Sequence, residues 1–271
     1  MLERKYDNKY YIITCCFPDW NNLITTCTKI PCIHPNYVPD APNHYIIPLD
    51  LRDRQIYGLF NISEKRMIFN MDINNVIILE NKCLFAKFMI ENYPMNIPRT
   101  ISILTNNIDY FDTFKPIKMI KKGAIGCAGN SVTVIHELDK SKRENNFVVS
   151  EYINHTESYT GHFLIHKGVV LKHIIFRGNN PEINDYIKRG PFKNYDVIDL
   201  DQLIETGIDV SIFENIFKQL NYSGFACPEF VVVDNVIKIF EINPRPGGSL
   251  IANKQYCKEF FNTIIETAII D

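Results

Sequence analysis

The sequence predicts an α+β protein in two parts: a short α/β unit over residues 1–80 and a larger unit, built mainly on antiparallel sheet, over 81–271. Three observations carry this reading. The first 80 residues hold only short apolar runs, Tyr10–Cys15, Tyr45–Leu49 and Val76–Leu79, read as strands, with one helical stretch at Leu51–Phe60. A helical pattern then runs from Asn81 to Tyr93, with Leu84, Phe85, Phe88 and Met89 on one stripe and Pro94 as its stop. Beyond it, alternating or continuously apolar segments follow one another across short turns such as Lys167-Gly168, which implies antiparallel pairing.

Taken in order, Pro31, Pro35, Pro39 and Pro42 make 31–42 a surface loop or extended linker, because proline fits neither a helix interior nor a central strand. Strands are expected at Ile101–Leu104, Ile117–Lys121, Ser131–His136, Phe147–Ile153, His162–His166 and Val169–Phe176. A helix at Val210–Leu220 precedes a strand pair, Ala226–Val233 and Val236–Asn243, and a helix at Gln255–Ala268 follows.

Composition narrows the function classes. The 271 residues are 46% hydrophobic and 22% charged, the balance of a folded globular chain. A net charge of -2 provides no field for gathering polyanions, so nucleic acid is not expected as a partner. No apolar run approaches the roughly 18 residues that span a bilayer, and the N-terminus lacks a signal-like apolar core. Eight dispersed cysteines read as reduced thiols in a cytoplasmic protein rather than as a disulfide framework. A zinc site from Cys15, Cys16, Cys27, Cys32 and His34 is disfavoured, since no C-x-x-C pair occurs.

Two segments ask for the same kind of ligand. In Pro116–Ile135 a strand ends in Lys121-Lys122 and leads into a loop with Gly123, Gly126 and Gly129. Glycines let backbone N–H groups approach phosphate oxygens, and a lysine at the strand end adds a compact positive charge. In Ala226–Ser249, Glu241 and Asn243 are two apart on one strand and share a face, which presents an oxygen pair to a cation. Glu229 joins them only if the intervening loop holds three residues, 234–236, or an equivalent bulge occurs. Oxygen ligands favour Mg2+ or Mn2+ over zinc, and Arg245 places a bidentate anion binder next to them.

The run Phe240-Glu-Ile-Asn-Pro-Arg-Pro-Gly-Gly-Ser249 resembles the metal-binding strand of the ATP-grasp superfamily, in its carboxylate-amine ligase and carbamoyl-phosphate synthetase-like branch. The resemblance covers roughly residues 81–270 and implies an ATP-grasp fold whose two α+β subdomains clamp ATP, with a lid at about 115–155 and a shortened preceding domain. It implies phosphate-binding lysines at Lys82 and Lys121, with Lys122 standing where the family usually has proline, so which of the pair faces phosphate stays open. It implies further that Glu151, Tyr152 and Ile153 hold adenine through their backbone, that Glu157 holds ribose, and that Glu229, Glu241 and Asn243 hold the metal. The activity implied is ATP-dependent joining of a carboxylate to an amine or thiol through an acyl phosphate that Arg245 and Lys121 stabilise. The alternatives are an ATP-grasp kinase and a nucleotide-binding module without turnover. Expected partners are small-molecule or peptide carboxylates and amines, and an open edge strand in the short first domain admits a homodimer. Bland roles remain for His155, His162, His166 and His173 as partners of backbone, and for Arg177, Lys188 and Arg189 as solvated loop charges.

Overall fold

The computed structural model describes residues 4–6, 9–38, 44–59, 67–69, 72–102, 118–125, 132–137, 147–179 and 195–270. The N-terminal sheet contains β1 (Arg4–Tyr6), β2 (Lys9–Thr14), β3 (Cys32–Ile33) and β4 (His44–Pro48). β2 is central: β4 runs parallel to it from Tyr10↔His44 to Thr14↔Pro48, while antiparallel β1 and parallel β3 pair with its opposite ends. Between β2 and β3 lies α1 (Pro18–Thr28), a helix that the sequence reading did not include. Its Asn- and Thr-rich run has weak helix propensity, but Pro18 suits a first turn, and Ile24 and Thr28 form a buried i,i+4 stripe. Helix α2 (Leu51–Leu59) falls where expected.

The expected strand Val76–Leu79 is instead part of a helix, α3 (Ile73–Glu80). Asp72 caps it by accepting the Asn74 N–H, and Val76 and Leu79, three apart, are its buried residues. A short apolar run cannot be told from a buried helix by periodicity alone, and here packing decides. Asn81 ends α3 and caps α4 (Lys82–Asn92), its side chain accepting the N–H groups of Cys83 and Leu84.

Two antiparallel sheets follow. The smaller has the order β5-β8-β6-β7, from β5 (Thr100–Ser102), β6 (Met119–Gly123), β7 (Val132–Ile135) and β8 (Phe147–Glu151). The larger has the order β11-β10-β9-β12-β13, from β9 (Glu157–His166), β10 (Val169–Asn179), β11 (Tyr195–Ile198), β12 (Gly224–Val233) and β13 (Val236–Asn243). Helices α5 (Leu200–Glu205) and α6 (Ser211–Gln219) precede β12, and α7 (Gly248–Ala252) and α8 (Lys254–Ile270) follow β13. No helix among the described residues is long and apolar enough to cross a membrane.

The five-stranded sheet is covered on both faces, which explains its nearly continuous apolar strands. Phe163 and Ile165 point toward Phe85, Met89, Phe213 and Phe217 of α4 and α6. Leu164, between them, joins the opposite core with Phe260 and Phe261 of α8 and Tyr11, Ile13 and Ile47 of the N-terminal sheet. That second core therefore crosses the 80/81 boundary. The small sheet is held by a third, minor cluster of Ile101, Met119 and Val149.

The β12–β13 connection differs in detail from the three-residue loop. Asp234 and Asn235, with φ of 51° and 60°, form a two-residue turn between paired Val233 and Val236. A bulge at Phe240 then restores the register: Phe230 faces Ile239, and Glu229 faces Glu241. The bulge that the sequence reading allowed as an equivalent is thus the device that puts both carboxylates opposite each other.

Candidate functional site

A narrow cleft, about 280 Å³ of empty space including its open mouth, lies where α4, the small sheet and β13 meet; Lys82, Lys122, Ser150 and Phe240 line it. Lys82 is the first residue of α4, and its backbone N–H donates to Ala124 O at 2.9 Å, which ties the helix start to the end of β6. Its side chain is 8% exposed, and Nζ lies 3.4 Å from Glu241 Oε2. Lys122 reaches the same place from the opposite wall, donating to Phe240 O at 3.4 Å with its ammonium 5.3 Å from the Phe240 ring.

Strand alternation separates the two adjacent lysines. Lys122 is paired with Val148, which also lines the cleft, whereas Lys121 is paired with Val149, which sits in the minor core of the small sheet. Lys121 Nζ lies 4.2 Å from the Phe147 ring on that other face. Lys122, not Lys121, therefore stands across from Lys82. Gly126 and Gly129 lie outside the described residues.

From Glu241, the ion-pair partner of Lys82, a polar chain runs along the end of β13. Asn243 Nδ2 donates to Glu241 Oε1 at 3.2 Å, and Arg245 donates through Nη2 to Asn243 Oδ1 at 3.2 Å. The Arg245 backbone N–H also returns to Asn243 O at 2.8 Å, a tight turn that aims the guanidinium back along the strand. Glu229, Glu241 and Asn243 are half-buried. This donor set is oxygen only, two carboxylates and an amide, and it fits a hard divalent cation such as Mg2+ or Mn2+.

At the hinge, the Glu151 and Tyr152 N–H groups donate to Arg99 O and Lys118 O, so among the described residues only Ile153 of the three keeps an unused amide. The Glu151 carboxylate is held by Arg99, whose Nε lies 2.9 Å from Oε2. Ile153 O is 2.8 Å from His155 Nδ1, so His155 fastens the hinge loop. Glu157 begins β9 and accepts the Tyr159 hydroxyl at 2.9 Å; burial first, and this carboxylate second, push the Tyr159 phenol up to about 12.

Several neighbours were not singled out by sequence reasoning. Phe17, just after β2, lies under both Arg52, 4.3 Å from its ring centroid, and Arg245, at 5.9 Å, so the N-terminal sheet reaches the site through one ring. Cys16, Asp50 and Asp53 cluster beside it. Asp50 Oδ1 accepts the Asp53 N–H at 3.0 Å and Asp53 Oδ2 accepts the Asp50 N–H at 3.3 Å, a reciprocal cap at the start of α2. Burial and the adjacent Asp50 charge raise Asp53 to about 7, and burial with Asp53 alongside pushes the Cys16 thiol up. His173 pairs with Asp199, and Arg177, opposite Tyr159 on the neighbouring strand, pairs with Asp196, while Lys188 and Arg189 fall outside the described residues.

Residues 79–249 match the family described as ATP-grasp domain. The chain belongs to that family. Its fold is similar to that of a D-alanine–D-alanine ligase from Bacillus anthracis, at 18% identity over 96% of each chain with a TM-score of 0.61. It is also similar to the D-cycloserine synthetase DcsG, at 13% identity over 95% of this chain and 99% of that one, TM-score 0.61. A third likeness is to an N5-carboxyaminoimidazole ribonucleotide synthetase from Thermotoga maritima, at 12% identity over 94% and 75% of the two chains, TM-score 0.54. No curated protein matches the sequence.

Proposed function

We propose that the chain is an ADP-forming ligase that uses ATP, with Mg2+ or Mn2+, to join a carboxylate to an amine or thiol through an acyl phosphate. The observation that carries this is the Lys82–Glu241 ion pair at 3.4 Å, which joins the cleft lined by Lys82 and Lys122 to the Glu241, Asn243 and Arg245 chain, with Glu229 paired opposite Glu241. Lys82 and Lys122 neutralise the phosphates, and Glu157 accepts from the ribose. Ile153 offers its amide to the adenine. Glu229, Glu241 and Asn243 would hold the cation, which would supply positive charge against that developing on the γ-phosphoryl group. Arg245 stabilises the anionic carbonyl and acyl phosphate, so no side-chain nucleophile is required. Placing the lysine role at Lys122 rather than Lys121 is part of the proposal. That the named structural relatives are two ligases or synthetases of small amino acids and one of a ribonucleotide agrees with a small-molecule acceptor.

The test is thermal unfolding with Mg-ATP, Mg-ADP and no ligand for wild type and Glu241→Ala, followed by product analysis with panels of carboxylates and amines. Ligand at 100 times its Kd adds about 2.7 kcal/mol of stability. A magnesium-dependent shift in wild type that the variant loses, together with phosphate release that needs both organic substrates, supports the reading. A phosphorylated acceptor overturns it in favour of a kinase, and no shift in either protein removes the nucleotide site.

A further inference from the structure

His162 lies on β9, directly beneath the loop that follows Arg245, and is 1% exposed. Its two ring nitrogens meet two residues of that loop: Nδ1 accepts the Gly247 N–H at 3.4 Å, and Nε2 lies 2.8 Å from Ser249 Oγ. A backbone N–H can only donate, so Nδ1 must be the unprotonated nitrogen. Burial holds the ring neutral, pulling its pKa down to about 3, and its one proton therefore sits on Nε2 and points at Ser249 Oγ. With Oγ accepting from histidine, the serine's own hydrogen must point elsewhere. Among the described residues the Ser249 hydroxyl has no acceptor.

The surroundings show that this contact is built rather than incidental. A Cβ on Gly247 would come within 2.6 Å of His162 Cε1 and 2.7 Å of Cys227 Sγ, so the loop can sit this close to the ring only with glycine there. One residue on, Gly248 is exposed and a Cβ there would meet nothing within 4 Å, so the space over the loop is open. Ser249 is half-buried at the margin of that opening, four residues after Arg245.

We propose that Ser249 is a substrate-binding residue, donating its hydroxyl hydrogen to an oxyanion held by Arg245, and that His162 is the positioning residue that sets its direction. The oxyanion is the carboxylate of an organic substrate or the transferred phosphoryl group. The idea rests on the ligase reading for the place of Arg245, but its core, a fixed tautomer and a directed hydroxyl, can be judged without it.

Two measurements decide it. First, nitrogen-proton NMR of the histidine rings at pH 7 should show His162 neutral with its proton on Nε2, and Ser249→Ala should move that nitrogen's signal; a proton on Nδ1 overturns the proposal. Second, inorganic phosphate and sodium acetate are titrated separately, each with and without Mg-ADP, and followed by isothermal titration calorimetry. Ser249→Ala and His162→Phe should weaken binding of at least one anion roughly tenfold, the size of one hydrogen bond to a charged group, and Ser249→Thr should restore it. The response to phosphate or to acetate identifies which oxyanion is bound. Mg-ADP affinity should stay within about twofold in both variants, which separates this role from general unfolding. Equal anion affinity in wild type and Ser249→Ala, in all four titrations, overturns the proposal. Failure of Mg-ADP to bind wild type would instead count against the ligase reading, and the anion titrations without nucleotide would still decide the role of Ser249.

Discussion

The two sheets that wall the cleft are built to opposite specifications. The five-stranded sheet is buried on both faces, with Phe163, Phe230, Ile239 and Ile242 in one core and Leu164, Ile174, Phe176 and Phe225 in the other. Among the described residues the four-stranded sheet has its own core of Ile101, Met119 and Val149, backed by Ile135 and Phe147, while Val148 and Ala124 join the larger core. The first carries the carboxylates and Arg245; the second carries Lys122. The proposed oxygen ligands, whose spacing a cation would constrain tightly, thus stand on the five-stranded sheet, while the lysine, a flexible stem with a point charge, comes from the four-stranded one. Among the described residues the five-stranded sheet buries more side chains, so local opening is expected to begin in the four-stranded sheet.

The largest expected effect breaks the packed wall's chemistry. Glu241→Ala removes the partner of Lys82 and one oxygen ligand together, and should lower ATP-dependent phosphate release by about 10²–10³-fold, the usual cost of losing one preorganised group at developing charge. Steady-state phosphate assays, once a substrate pair is found, check this. On the opposite wall, Lys122→Ala should cost about 10²-fold and Lys121→Ala less than about threefold. A reversal would show that β6 is registered differently when nucleotide binds.

Stability distinguishes the walls directly. Phe230→Ala, at a fully buried ring, should lower global stability by about 3–5 kcal/mol, whereas Ile101→Val should cost about 0.5–1.5 kcal/mol. Hydrogen exchange followed residue by residue should place the Ile101→Val effect within β5, β6 and β8 alone. The smallest effect concerns pH. Asp53 keeps its proton up to about 7 in the folded chain against roughly 3.9 unfolded, so the folded state binds more protons between those values. Stability from this group is full in acid and lost as pH rises from about 4 to about 7. Urea unfolding across that window should show the decline, and Asp53→Asn should flatten it without changing exchange in the four-stranded sheet.

Much of the site could be read in the chain because its signals are local. Glu241 and Asn243 share a face since strand side chains repeat every two residues, and Lys82 opens a helix since Asn81 is a capping residue followed by an apolar stripe. The family resemblance rests on those same positions. The helix α3 was misread because four apolar residues in a row carry no period, and α1 escaped because its composition is poor for a helix that tertiary packing of Ile24 nevertheless holds.

By itself, then, the sequence determined the α+β class, the order of the segments and the residue types suited to holding a polyphosphate. Only the tertiary structure decided which of Lys121 and Lys122 enters the cleft, because that depends on which face of β6 lies against Val148 and Lys82. The pairing of Glu229 with Glu241 is expected from the sequence, but only the structure placed the device, a bulge at Phe240 rather than a three-residue loop. It alone brought His162 under a loop 85 residues further along the chain. In each case the deciding contact joins residues distant in sequence, and strand register and close approach are set by the packing of whole elements, not by the residues that meet.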